Sequence, residues 1–356
     1  MKSLILVLVA AALAVFTVAC GDDDVDVASS PTPTIDVATD NATPTPVEPD
    51  HVTFMAGFKP QANLPFVGAY VAQEKNFFAE ENLDVDIQHV ATPGDNFRLL
   101  ATGEVQFSTS DASALLEKWT GDPVLEIVSI ALIGQTGQQG FAVLQDSGIE
   151  TPADWAGKIA GYKGSAVTPD YLAVLAANNV ERSSIEEVRI GFEPQVLTEG
   201  LVDIFPVFLS NEPDTLERLG YPTKVFTAAD YDAPTLGLTY VTTADYAAQN
   251  PSIVARFVSA VLRGIEYADQ NRAEAIDIVL QYAPEEDPVH QRYMLDTELD
   301  MAKTGDVSQE HGIGGQTPEQ WQALHDYMIQ YGGLPRPIDD ISTVFRQEYL
   351  PIFAGD

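Results

Sequence analysis

The side chains best able to do chemistry sit in short loops between apolar segments. The loop Phe58-Lys59-Pro60-Gln61-Ala62-Asn63 holds an aromatic ring, a cation and two amides, stiffened by Pro60 and Pro65. Ser108-Thr109-Ser110-Asp111 offers hydroxyls and a carboxylate before a helical pattern, where Ser110 or Asp111 can cap the free N–H groups. Tyr162-Lys163-Gly164-Ser165, Ser210-Asn211-Glu212-Pro213 and Asp230-Tyr231-Asp232 also place polar groups at turns. Phe66 and Tyr70 add rings one helical turn apart. Aromatic faces stack on conjugated rings, and the amides and hydroxyls supply donors and acceptors at their edges. Phe58, Gln61, Asn63, Phe66, Tyr70, Ser108, Ser110, Asp111, Tyr162, Ser165, Asn211, Glu212, Tyr231 and Asp232 are therefore the candidate ligand-binding residues.

Catalysis is a weaker reading of the same residues. Asp111, Glu212 and Asp232 could form an acid/base set, but helix capping and hydrogen-bond acceptance account for them more simply. His51, His89, His290, His311 and His325 are scattered without metal-ligand spacing. Cys20 is the only cysteine, which excludes a disulfide, a thiolate cluster and a cysteine nucleophile in the body. Gly134 to Gly140 is glycine-rich but lacks the Gly-Lys-Ser/Thr ending of a phosphate loop, so it is expected to be flexible chain. No metal, cofactor or catalytic residue is expected.

The loops need elements to carry them, and the body alternates strand and helix patterns, which predicts an α/β fold with largely parallel sheets. Strands are expected around Val52, over Leu83–Val90, Val105–Phe107, Pro123–Leu132, Phe141–Leu144, Lys158–Tyr162, Val188–Phe192, Leu201–Phe208, Lys224–Phe226 and Leu236–Val241. Helices are expected after Pro65, over Asn96–Ala101, Ala112–Trp119 and Pro169–Asn178. From Pro251 the pattern is helical: Ser252–Gln270, Arg272–Gln281, Pro288–Ala302, Pro318–Tyr331 and Ile341–Phe353.

The net charge is −35, which disfavours nucleic acid and anionic lipid head groups as partners. The first residues carry an export signal: Lys2, then an apolar run from Leu4 to Val18 too short for a comfortable membrane span. The run ends at Ala19-Cys20, which resembles a bacterial lipoprotein signal with Cys20 as the lipidated N-terminus, although Thr17 replaces the usual Leu. Residues 20–50 are acidic, rich in Thr-Pro and free of Lys and Arg, and are expected to form a disordered tether.

Several segments together carry a family resemblance. They are Gly57-Phe58-Lys59-Pro60-Gln61-Ala62-Asn63 with Gly68-Ala69-Tyr70, Leu100 to Phe107, Ser147-Gly148-Ile149 with Trp155-Ala156-Gly157-Lys158, and Ser210-Asn211-Glu212-Pro213. In that order and spacing the chain after Val52 resembles solute-binding proteins for thiamine pyrimidine precursors, and within them a riboflavin-binding branch. The resemblance implies a type II periplasmic-binding-protein fold, with two α/β lobes joined by a hinge crossed near Phe141 and Gly237. Lobe one would be 51–141 with 237–356, and lobe two 142–236, after a signal peptide at 1–19.

The family's first loop usually reads Trp-x-Pro-Asn-x-Asn-His, and here Phe58, Pro60, Gln61, Asn63 and Leu64 take those places. Loss of the His removes a hydrogen-bonding group facing the cleft and moves the expected ligand from the pyrimidine to riboflavin. The implied function is capture of riboflavin for an ABC permease by a monomeric, lipid-anchored, extracytoplasmic protein. The runner-up ligand is a formylaminopyrimidine or hydroxymethylpyrimidine. The related pyrimidine-synthesising enzymes use that His and a cysteine-rich motif, both missing here. A small anion would need a cationic cleft, and only Lys59 and Lys163 lie near candidate loops.

Overall fold

A computed structural model describes residues 48–92 and 94–351. The export signal, Cys20 and the tether through residue 47 lie outside the described residues. Ten strands are present among the described residues: β1 Asp50–Ala56, β2 Leu83–His89, β3 Phe107–Asp111, β4 Ile127–Leu132, β5 Gln139–Leu144, β6 Ile159–Tyr162, β7 Glu186–Arg189, β8 Phe205–Phe208, β9 Thr223–Phe226 and β10 Leu238–Thr243. Five form a sheet in the order β2-β1-β3-β10-β4, three form β8-β5-β9, and β6 pairs with β7. A bridge between Ala160 and Ile204 joins the two smaller sheets.

The expectation of largely parallel sheets needs correction. β1 runs parallel to β2 and β3, but β10 is antiparallel to both β3 and β4, and β5 is antiparallel to β8 and β9. β10 enters the large sheet after the chain has passed through the small ones, and it runs in the reverse direction. Several strand positions also shift. β3 starts at Phe107 and runs through Ser108-Thr109-Ser110, three buried residues whose hydroxyls bond to Met55, Gly57 and, for Ser110, the next carbonyl, so apolar patterning stops where the strand begins. Likewise β4 excludes Pro123 to Glu126, β7 ends before the exposed Phe192, and β8 excludes Leu201 to Ile204. The expected helix Ile341–Phe353 is a short turn over Ile341–Val344. Beyond it Arg346 N–H donates to the Ser129 carbonyl at 2.8 Å, and the chain lies against β4. Residues 352–353 of that expected helix lie outside the described residues.

The segment Gly134 to Gly140 is not loose chain. Gly134 and Gly237 lie side by side where the chain passes between the large and small sheets, with Gly237 N–H donating to the Gly134 carbonyl at 2.8 Å. A Cβ on Gly134 would come within 2.7 Å of Gly237 Cα, so glycine is required by the close approach of two backbones.

The helix Leu64–Glu74 is buried from Leu64 to Ala72 and apolar nearly all round, as befits a helix sandwiched in the core. It packs on the amphipathic helix Pro251–Gln270, whose buried face runs Val254, Phe257, Val258, Val261, Ile265, Ala268. Gly68 meets Gly264 at the crossing, where a Cβ on Gly264 would sit 2.1 Å from the Gly68 carbonyl oxygen. Phe257 stacks on Phe107 at 3.9 Å between centroids, fixing helix to sheet. This packing holds the N-terminus of helix 64–74, and the loop before it, in place.

Candidate ligand-binding cleft

A cleft of about 300 Å³ lies between the loops after β1 and β3 and the segments 163, 192 and 208–212. Of the sequence-nominated residues, Phe58, Gln61, Asn63, Phe66, Ser110, Asp111, Asn211 and Glu212 line it together. Gly57, Asn96, Phe97, Thr109, Gln139, Lys163, Phe192 and Phe208 complete most of the wall.

Gln61 and Asn63 are buried yet face the cleft, and their amides are chained. Gln61 Nε2 donates to Asn63 Oδ1 at 2.6 Å, and Asn63 Nδ2 donates to Glu298 Oε1 at 2.5 Å. Glu298 Oε2 accepts from Leu64 N–H at 2.6 Å, satisfying an otherwise free donor of the helix start. Asn63 thus stands at the helix start without bonding that helix through its own side chain. The backbone at Ala62 is fixed by Gln291, whose Oε1 accepts at 2.6 Å. Phe58 is tied through its carbonyl, 2.7 Å from His89 Nδ1, so Nδ1 carries the proton and Nε2 accepts from the Tyr70 hydroxyl at 2.8 Å. Burial lowers the His89 pKa and keeps the ring neutral. The same ring packs edge-on against Phe66.

On β3, Asn96 Nδ2 donates to Ser108 Oγ at 2.9 Å and to the Thr109 carbonyl at 3.1 Å. Asp111 caps the helix Ala112–Thr120, accepting from Ser113 N–H at 2.9 Å. Burial pushes its carboxyl up to about 7 despite those backbone donors.

On the opposite wall Lys163 Nζ pairs with Glu212 at 2.7 Å, and Glu212 also accepts from Phe208 N–H at 2.7 Å. The ammonium lies 4.6 Å from the Phe205 ring centroid and 5.3 Å from that of Phe192. Glu212 is therefore not a free acceptor, as the sequence alone suggested, but half of a neutralised pair. Phe192 is 63% exposed and Phe58 39%, both at the cleft.

The structure does not bring the remaining nominated residues to the cleft. Tyr70 is fully buried and stacked on Tyr282 at 4.1 Å, its hydroxyl used by His89. Ser108 is buried behind the wall, donating to the Met55 carbonyl at 2.6 Å. Tyr162 ends β6 outside the lining, and Ser165 is exposed on the loop beyond Lys163. Tyr231 and Asp232 line a separate hollow with Tyr327 and Tyr331. Lys59 is turned to Glu286, 2.5 Å away. The residues that sequence reasoning missed include Asn96, Gln139, Phe97, Phe192, Phe208, His89 and Glu298. Phe192 read as the end of a strand, and Glu298 as one acid among many on a long helix.

Residues 63–275 match the family described as NMT1/THI5 like. The chain belongs to that family. It is 28% identical over 332 residues to the riboflavin-binding protein RibY of Chloroflexus aurantiacus, covering 89% of this chain and 92% of that one. It is 25% identical over 291 residues to a formylaminopyrimidine-binding protein of Halalkalibacterium halodurans, covering 81% and 87%. Among solved structures, the periplasmic aliphatic sulphonate binding protein SsuA of Escherichia coli superposes with a TM-score of 0.64 at 13% identity, covering 84% of this chain and 92% of that one. The fold of this NMT1/THI5-like chain is the periplasmic-binding-protein fold expected from the sequence.

Proposed function

We propose that the protein captures riboflavin as the extracytoplasmic solute-binding component of an ABC importer. The observation that carries the reading is the lining of the cleft. Phe58, Phe66, Phe97, Phe192 and Phe208 offer ring faces, and Gln61, Asn63, Asn96, Gln139 and Asn211 offer amide donors and acceptors. Lys163, the one cation among the described lining residues, is already paired with Glu212. Such a wall suits a flat, neutral heterocycle with a uracil-like edge. The exposed Phe58 and Phe192 give a multi-ring system two faces to cover, more than one pyrimidine ring needs. Ribityl hydroxyls match Ser110, Asp111 and the Lys163–Glu212 pair, whereas a phosphate would meet carboxylates without a free cation.

The relative named for riboflavin supports this reading, and the one named for formylaminopyrimidine supports the second, in which a pyrimidine bonds to Gln61 and Asn63. The cleft walls belong to two lobes, expected from the sequence as 51–141 with 237–356 and 142–236 and here divided before β5, which pairs only with β8 and β9; they close by bending at the paired crossings near Gly134 and Gly237. A monomer anchored through lipidated Cys20, with residues 20–50 as its tether, carries the ligand to the permease; this part rests on the sequence alone.

Titration of riboflavin fluorescence tests the assignment. Quenching on binding is expected, with flavin mononucleotide much weaker. No quenching together with tight binding of a formylaminopyrimidine would transfer the assignment to the pyrimidine.

A further inference from the structure

Glu298 lies on helix Pro288–Ala302, is 1% exposed, and has no cationic partner within ion-pair distance among the described residues. Everything that meets its carboxyl is a donor. Oε1 accepts from Asn63 Nδ2 at 2.5 Å and from Ser210 Oγ at 2.9 Å, and Oε2 accepts from Leu64 N–H. The Gln138 side chain also lies beside it. These four neighbours come from three separate stretches: the end of the loop after β1, the first crossing between the sheets, and the turn that carries Asn211. Gln138 is itself locked in place, its carbonyl accepting from Leu209 N–H at 2.8 Å. Its side-chain Oε1 is buried and has no partner.

We propose that Glu298 is a positioning residue of the cleft, whose carboxylate gathers Asn63, Leu64 and Ser210 and so ties the loop of one wall to the turn of the other. The inference rests on the cleft being the ligand site. A carboxylate accepts from all three donors, and a protonated carboxyl brings a donor of its own. Its O–H would need an acceptor, and turning the Gln138 amide over supplies one, the Oε1 that now lacks a partner. The site therefore has two arrangements that differ by one proton and by the orientation of Gln138, next to Gln139 in the cleft wall. Burial raises the Glu298 carboxyl to about 7, which places the exchange between them near neutral pH.

Charged groups on the surrounding elements are engaged elsewhere. Lys59 pairs with Glu286, Glu212 with Lys163, Asp214 with His290 and Arg218, Asp287 with Arg218, and Asp296 with Arg272 and Arg292. Tyr70 is bonded to His89, Tyr282 to Glu74, and Tyr293 to the Leu209 carbonyl. Asp111, the other raised carboxyl at the cleft, faces Asp170 and Glu117.

The test is the amide resonance of Leu64, followed against pH in the ligand-free protein. It should titrate with a midpoint near 7 in the wild type and in Asp111→Asn, and lose that transition in Glu298→Gln. Riboflavin binding to Glu298→Gln should weaken about tenfold, since one buried donor loses its acceptor, and its dependence on pH near 7 should flatten. Ser210→Ala, a milder change, should shift the Leu64 midpoint if Glu298→Gln does not fold. A Leu64 amide that does not titrate, or that titrates alike in Glu298→Gln, overturns the proposal. So does unchanged affinity and pH profile in that variant. Failure of the wild type to bind riboflavin would count against the ligand while leaving the resonance test intact.

Discussion

The two walls of the cleft are built on different principles. The wall around Gln61 and Asn63 is anchored in the deepest part of the molecule. Its amides are bonded to one another and to a buried carboxylate, and the loop leads into a helix locked against a neighbour at Gly68 and Gly264. The wall around Lys163, Phe192 and Phe208 stands on strands of four residues. Its polar groups satisfy each other as an ion pair, and its most prominent ring is exposed. The first wall is shaped before ligand arrives, whereas the second offers apolar surface that a ligand must cover. Pre-organisation limits the ordering cost of binding on one side, and the exposed ring on the other supplies surface to be buried.

Truncating a ring on each wall should separate these roles. Phe66→Ala removes a side chain that is 2% exposed and is expected to cost about 3–5 kcal/mol of stability in urea unfolding. Phe192→Ala should leave stability within about 0.5 kcal/mol, while weakening riboflavin roughly tenfold through lost stacking and burial. Equal effects of the two on stability would erase the contrast.

A smaller difference should appear with pH. Burial raises Asp111 and Glu298 to about 7 on the first wall, and Asp170, which lies near Asp111 and is held by the Tyr327 hydroxyl, to about 6. For each, the folded value exceeds the unfolded one, 3.8 for Asp and 4.5 for Glu. The folded state therefore holds extra protons, and their stabilising contribution is full below about pH 4 and lost as pH rises to about 7. Melting temperature should fall by a few degrees over that range. Asp111→Asn should lessen the fall from about pH 4 up to about 7, and Asp170→Asn only the fall from about pH 4 to about 6. A melting temperature flat across this range in the wild type would contradict the burial of these groups.

The sequence carried the architecture further than the site. Helices with a clear apolar face, such as Pro251–Gln270, and strands that are apolar at nearly every position, such as β4, were legible because one property decides them. β3 was not, because its buried hydroxyls read as loop until their partners Met55, Asn96 and Gly57 are placed beside them. The first wall was largely visible in one contiguous loop. The second depends on Lys163, Phe192, Phe208 and Glu212, which are distant in the chain and meet only in the fold. Tyr70 and Tyr162 were named for ring chemistry alone, and packing decided otherwise for Tyr70.

The most direct test is native mass spectrometry of protein purified from an extracytoplasmic fraction without denaturation. The account predicts a bound species of riboflavin's mass, retained by the wild type and lost from the double variant Phe58→Ala/Phe192→Ala. A bound pyrimidine of the formylaminopyrimidine class, or riboflavin retained equally without those two rings, would contradict it.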